Sequence, residues 1–475
     1  MMDLANALSE HATLEEIHGM LMEGEPHKAL RRELSALLSD RNTLENCYLR
    51  HVRFRPGRKL IANYEAHLRT DGTGRVSTRA VEVTWRLRRN GDSLRTIAEV
   101  EAMQDEAARR GVAAPFRQLV ADFPEWCMHI QVSPVDEHFP QLVRVHDPSY
   151  VCDMVGRAYA ASGESQDQDP AGSYGITSIR YRPARRHVLR YDPLGAPEQE
   201  TLFAKMYAGD TGGQAFCVAT QVADWLAQRG GGVTSLRPLA FLAEDEVVFY
   251  RRLSGEPLSR HLQSPTQDVV ASLRSVGAAL RALHEFPYTA VGPLKTHDLA
   301  AEIELIKRSC KHYRALLPAV SASVEAMLLR AAELNELLPQ APLTFTHADF
   351  LTDHVWVTPA GLVFIDFDNA CLADPSLDIG KFLADLHFWY SKYGRQGVEE
   401  AQREFLAGYD TSTSPERLVR ARLYEAIKLA KMVGRRVFVF EKDWVSRTER
   451  LISLAQKLMN DFEHALGLPP KQLCA

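Results

Sequence analysis

The chain has 475 residues, too many for one ordinary compact core and, at about 150 residues per domain, enough for two to four. Its 45% hydrophobic, 25% charged and 8% aromatic residues exclude wholesale disorder and collagen-like or coiled-coil character. A formal charge of −5, from 56 basic and 61 acidic residues, supplies no overall attraction to nucleic acid or anionic lipid, so neither is expected as a partner.

Met1 to Leu21 lacks the basic and then apolar order of a signal peptide, and no later stretch is long and apolar enough for a membrane span, so a cytoplasmic protein is expected. Seven scattered cysteines without any CxxC pair argue against a disulfide framework or a zinc ribbon. Up to about Asp40, the spacing of Leu14, Ile17 and Leu21 predicts short helices. From Cys47 to about Arg89 alternating side chains, a Pro56-Gly57 turn and an Asp71-Gly72-Thr73-Gly74 turn predict a small antiparallel sheet.

That block has an echo. Val52 to Tyr64 aligns without gaps on Ile179 to Tyr191, sharing the Arg-Pro-x-Arg turn, which points to a duplicated strand-turn-strand unit. The second copy continues into a strand, Thr201 to Tyr207, that carries Lys205; the first copy offers Ser77 and Thr78 there and no lysine. Between the copies, Ala160 to Gly175 has linker composition. The expected division is 1–159, a linker at 160–174, 175–253 and 254–475.

Beyond Gly232, a strand pair (Leu236 to Leu242, Val247 to Arg252) leads into helical sequence. Ser264-Pro265-Thr266-Gln267 reads as a capping box, followed by the apolar face Val269, Leu273, Val276, Leu280, Leu283. From Ser376 to Leu466 the chain again reads as helical, with Ser414-Pro415 opening a long helix. In the interruption, His347-Ala348-Asp349 is followed by His354, the strand Val355 to Val357, a four-residue turn, and the strand Leu362 to Asp366. Pairing Val357 with Leu362 sets His354 opposite Ile365 and brings Asp349, His354 and Asp366 to one end of the hairpin. Two carboxylates and an imidazole at such a place suit a divalent ion and a general base.

These residues, with Ile365-Asp366-Phe367-Asp368 and Ala373-Asp374-Pro375-Ser376-Leu377-Asp378, resemble the catalytic core of the aminoglycoside phosphotransferase and choline kinase type enzymes, a small-molecule branch of the protein-kinase-like fold. The resemblance covers roughly Gly175 to Asp461. It implies an α+β, bilobal, protein-kinase-like fold with a small antiparallel N-lobe sheet and a mainly helical C-lobe, preceded here by a second, degenerate N-lobe-like block. It implies ATP and Mg2+ as cofactors and a small-molecule hydroxyl as acceptor, of aminoglycoside, sugar or amino alcohol class. By the same resemblance, Asp349 is the catalytic base, Asp366 a metal ligand with His354 as its companion, and Lys205 the lysine on the phosphates. Tyr250 to Leu253 then form the hinge that holds adenine through the backbone.

Asp374 and Asp378 are expected to hold the loop by hydrogen bonds, with Asp368 as a helper and His347 as a buttress. His284 is expected to interact with a helix C-terminus, and Asp385 to meet the acceptor. Arg182 and Arg185 have two readings, a solvated sheet face or a phosphate contact; His354 likewise is a ligand or an ordinary loop histidine. Three departures from the family pattern stand in the sequence: His354 where most members have Asn, Gln214 where a Glu pairs with the lysine, and no GxGxxG loop before Lys205. They sustain a second reading, a non-catalytic nucleotide-binding pseudokinase or scaffold. A protein kinase is disfavoured by the missing Ala-Pro-Glu motif and the short segment after Asp366.

Overall fold

The computed structural model describes residues 4–70, 74, 76–86, 97–163, 173–195, 200–209, 211–230, 232–409, 415–439 and 441–468. The Asp71 to Thr73 part of the expected turn, most of the expected linker and Ser414 lie outside the described residues. The chain divides into two compact units, Met1–Gly213 with Pro238–Arg252, and Gln214–Arg237 with Leu253–Ala475.

The first unit contains two five-stranded antiparallel sheets. The first has the order β1-β2-β3-β5-β4, from β1 (Asn42–Arg55), β2 (Lys59–Thr70), β3 (Val76–Arg86), β4 (Val120–Phe123) and β5 (Met128–Val132). Alternation is strict enough to give it one apolar face: Leu60, Ala62 and Tyr64 on β2 and Val81, Val83 and Trp85 on β3 are all buried. The opposite face is polar. There the ladder aligns Arg55 with Lys59 and Lys59 with Arg86, then Arg53, Ile61, Thr84 and His129 in the next row.

The second sheet comprises β6 (Tyr174–Arg182), β7 (Arg186–Pro193), β8 (Leu202–Met206), β10 (Pro238–Leu242) and β11 (Val247–Arg251) in the order β6-β7-β8-β11-β10. The strand order repeats that of the first sheet, and each copy carries one helix between its third and fourth strands, Ile97–Arg109 and Gly212–Arg229. The duplication therefore extends well past the aligned turn. Leu189, Tyr191, Ala204 and Phe249 form its apolar face, and the helix Pro148–Ser162 packs on it with Val151, Met154 and Val155.

Two buried carboxylates tie residues 136–157 to this second sheet. Asp136 accepts from Ala184 N at 2.9 Å and His187 Nε2 at 2.7 Å, gripping the β6–β7 turn. Asp245, in the β10–β11 turn, accepts from Arg144 Nε at 2.6 Å and Tyr150 Oη at 2.8 Å.

The second unit is mainly helical, with two small sheets where the sequence suggested a single hairpin. The first, β12-β15-β16-β9, joins β12 (Glu256–Pro257), β15 (Val355–Thr358), β16 (Gly361–Phe364) and β9 (Val233–Ser235), the last parallel to β16. The other, β13-β17-β14, comprises β13 (Thr296–His297), β17 (Cys371–Ala373) and β14 (Thr344–Thr346). The helix Gln267–His284 starts two residues later than the proposed box: Thr266, not Ser264, is its cap, accepting from Val269 N at 3.3 Å.

The helix Ser376–Tyr393 is buried over most of its length. At Gly380 it meets the helix Pro415–Arg436 so closely that a Cβ would lie 2.5 Å from Ala421 O, which only glycine allows. Among the described residues no helix is long and apolar enough to cross a membrane.

Candidate active site

The hairpin forms in the expected register, Val355 with Phe364 and Val357 with Leu362, and Ile365 N donates to His354 O at 3.0 Å. Asp349, His354 and Asp366 are thereby brought to the same end of the strand pair. His354 Nδ1 donates to the Asp349 carbonyl at 2.7 Å, because a carbonyl oxygen can only accept. That fixes the tautomer when the ring is neutral. The Nε2 lone pair is left 3.6 Å from Asp366 Oδ2.

Two backbone positions of the site carry strain. Ala348 at φ 57° and Asp366 at φ 68° are left-handed without being glycine, so the surrounding hydrogen bonds must hold them there. Asp378 does much of this work: fully buried, it accepts from His347 N at 2.7 Å and lies 3.2 Å from His284 Nε2. His347 donates Nε2–H to Ile365 O at 2.9 Å, the buttress anticipated for it. Asp374 accepts from Ser376 N at 2.9 Å and pairs with Arg420 at 2.8 Å.

His284 stands in the last turn of the helix Gln267–His284 and is buried there between Asp378 and Tyr409 Oη, 2.7 Å from the latter. One expectation needs correction. Asp385 cannot meet an acceptor, since it is fully buried and accepts from Thr352 N and Oγ1 at 2.7 and 2.6 Å and from Arg436 at 2.8 Å.

The sequence reading also missed a residue. Lys381, on the helix Ser376–Tyr393, directs its ammonium at Asp349 Oδ1 and at Ala348 O, and is only 5% exposed. Burial works against the Asp349 charge, but Lys381 first, and then His354, outweigh it and hold this carboxyl well below the usual range. Lys381 lies three residues after Asp378 on the same helix face, but nothing in that spacing points to Asp349 as its partner.

Behind Lys381, Glu302 is bracketed by Lys428 at 2.9 Å and Lys431 at 2.7 Å and accepts from His297 Nε2 at 2.8 Å. Burial, and then the neighbouring Lys428, push the Lys431 ammonium down to about 6.

In the first unit, Lys205 sits on β8 opposite Val188 and Val248, 8% exposed, its ammonium 5.6 Å from the Tyr207 ring centre. The internal alignment places Ile61 on Val188, and Ile61 pairs with Thr84, so Thr84, rather than Ser77 or Thr78, is the counterpart of Lys205. Arg182 and Arg185 lie at the β6–β7 turn. Desolvation, and then the guanidiniums of Arg180, Arg185, Arg186 and Arg53, push Arg182 down to about 10. Tyr250 lies in β11, opposite Pro238 and Phe203, and Leu253 follows that strand. Gln214 donates to Val291 O at 3.1 Å within the second unit.

Among the described residues no group of three or more His, Cys, Asp and Glu could hold a metal. Asp366 and the His354 lone pair form a two-donor half-site, which fits an ion that draws its other ligands from phosphate oxygens and water.

Residues 184–419 match the phosphotransferase enzyme family, APH. This stretch is a phosphotransferase-family domain. It encompasses Lys205, the hairpin and Lys381, and the α+β, protein-kinase-like fold class read from the sequence stands. The chain is similar to a choline/ethanolamine kinase family protein from Mesorhizobium loti, 16% identical over 67% of this chain and 98% of that one, with a TM-score of 0.45. It is also similar to a choline kinase from Cryptosporidium parvum Iowa II, 12% identical over 68% and 98% of the two chains with a TM-score of 0.48. A spectinomycin phosphotransferase in complex with ADP and spectinomycin is 13% identical over 67% and 94%, with a TM-score of 0.42. No curated protein matches the chain.

Proposed function

We propose that this phosphotransferase uses ATP and Mg2+ and transfers the γ-phosphoryl group to a hydroxyl of a small molecule, of aminoglycoside, sugar or amino alcohol class. The observation that carries the reading is the Asp349 carboxylate, held well below its usual range, with one oxygen tied to Lys381 and the other 4.0 Å from His354 Nδ1. Asp349 orients that hydroxyl and takes its proton as the O–P bond forms. Lys381 fixes the carboxylate's orientation.

Asp366 and His354 Nε2 would hold Mg2+, which when bound neutralises charge on the β- and γ-phosphates. Lys205 is assigned to the nucleotide phosphates, with Arg182 and Arg185 as further phosphate contacts. The crowding of guanidiniums around Arg182 supports an anionic neighbour for that turn. Tyr250 and Leu253 bracket the segment assigned to adenine. In domain terms, 175–253 is the nucleotide-binding lobe, 254–475 carries the catalytic hairpin and acceptor site, and 1–159 is a degenerate lobe.

The test is ADP release by the purified chain with Mg-ATP across aminoglycosides, sugars, amino alcohols and nucleosides. Acceptor-dependent release supports the reading. Magnesium-sensitive nucleotide binding without release on any acceptor supports the pseudokinase instead, the alternative that His354 and Gln214 keep open. Binding of ATP that is indifferent to metal removes the kinase reading.

A further inference from the structure

The polar face of the first sheet buries Ile61, Thr84 and Gln131 but is not packed solid. Over it lies a cleft of about 440 Å³, bounded by Lys59, Thr84 and Arg86 on the sheet, Gln104 on the helix Ile97–Arg109, and Pro183 and Ala184 of the β6–β7 turn. Thr84 stands here in the register position that Lys205 holds in the second sheet. The cleft thus occupies, in the first copy, the face on which the second copy presents its lysine.

One end of this cleft is built against itself. Arg55, Lys59 and Arg86 face one another across three adjacent strands, in direct ladder register. Directly opposed like charges destabilise a sheet, each pair by a fraction of a kcal/mol. None of the three forms an ion pair with a described residue, and the nearest acid on this face, Glu82, is engaged by Arg53 at 3.3 Å and Asn63 at 3.2 Å. Burial, and then Arg55, hold the Lys59 ammonium below its ordinary value. Two of these cations, Lys59 and Arg86, line a cavity large enough for a metabolite, and neither has an acid partner among the described residues, so the pair calls for an anion. The other end of the cleft changes character: Asp122 accepts from His129 at 3.0 Å, beside Glu101 and Gln104, groups that accept from hydroxyls or amines.

We propose that this cleft is a second small-molecule site, for a phosphorylated polyhydroxy compound whose phosphate lies against Lys59 and Arg86. A sugar phosphate and a nucleoside monophosphate share that chemistry. The site is independent of the catalytic reading and stands even if the chain transfers no phosphate. Its wall at Pro183 and Ala184 belongs to the turn gripped by Asp136, so an occupant touches the second sheet directly.

The experiment is calorimetric titration of the full chain with orthophosphate, a hexose phosphate, the unphosphorylated hexose and AMP, repeated with Lys59→Gln/Arg86→Gln and with Asp366→Ala. The expected result is binding of the hexose phosphate or AMP that weakens as salt rises, no binding of the free hexose, and at least tenfold loss in the double variant with none in Asp366→Ala. Which of the two phosphates binds more tightly identifies the source; either one supports the site. Thermal melting gives a readout with the opposite sign to a structural role. Without ligand, the double variant should melt about 1–3 °C higher, since a repulsion is gone, while losing the phosphate-dependent rise. Lack of binding by every phosphate-bearing probe, undiminished binding in the double variant, or loss only in Asp366→Ala overturns the proposal.

Discussion

The two five-stranded sheets share a strand order and a helix placement, and at the register position where the second carries Lys205 the first carries Thr84. The charge at the turn is shared: Arg55 and Lys59, opposed across the first sheet's turn, align with Arg182 and Arg186, opposed across the second's. Arg86 extends that row on β3 of the first sheet. The two copies thus keep the cations of the turn and differ on the third strand, Thr84 and Arg86 against Lys205. Identity of fold says little about which copy works; the row a side chain occupies says more.

The largest effect should come from outside both sheets. Asp349→Asn is expected to lower kcat by about 10²–10⁴-fold while leaving nucleotide affinity within about twofold, measured by ADP release and by calorimetry. Lys381→Met should follow in the same direction by about tenfold, acting on kcat and not on the nucleotide KM, with Lys381→Arg recovering part. Loss of nucleotide binding in either would move these residues out of the acceptor's half of the site.

The comparison itself is sharpened by a matched pair. Lys205→Met should raise the nucleotide KM about 10–100-fold, the loss of one hydrogen bond to a charged group, whereas Thr84→Val should leave it unchanged. Equal effects would mean that the two rows are not distinct in function. At His354, His354→Asn should keep or raise magnesium-dependent turnover, because an amide oxygen is a harder ligand than imidazole, and His354→Ala should lower it. Indistinguishable variants would show the ring to be a bystander.

The smallest effect concerns acid. Burial pushes His51 and His146 in the first unit, and His312 in the second, down to about 4. Between that value and the unfolded value of about 6.5 the unfolded chain binds protons that the folded chain refuses, so stability falls as pH falls from about 6.5 and the loss is complete below about 4. Each histidine contributes a slope of at most about 1.4 kcal/mol per pH unit in that window. Denaturant titrations at pH 7 and pH 5 should therefore show the larger loss in the first unit. Replacing His146 with Asn should flatten it.

The hairpin was legible because a four-residue turn between two apolar strands fixes the register, and the register fixes who meets at its end. Asp374, Asp378 and His347 were legible as loop supports on the family pattern. Lys381 was not, since its partner lies far back in the chain and a lysine on a helix is ordinarily solvated. Asp385 was misread for the same reason: its burial depends on Thr352 and Arg436 arriving from two other segments. The Lys205 counterpart was sought too early in β3 because the length of the β2–β3 connection is not encoded in an alignment that stops at Tyr64.

The helix Ser376–Tyr393 has a consequence for time as well as for position. The amide hydrogens of His347 and Thr352 end on Asp378 and Asp385, two carboxylates carried by that helix, and the helix is locked by backbone contact at Gly380. No small fluctuation can release those amides, because freeing either carboxylate requires the helix to leave the core. In deuterium oxide these two amides should exchange last, at a rate set by the opening of the whole second unit rather than by the mobility of the loop in which they reside. The loop proposed to carry the base is thus timed by the slowest clock in its unit.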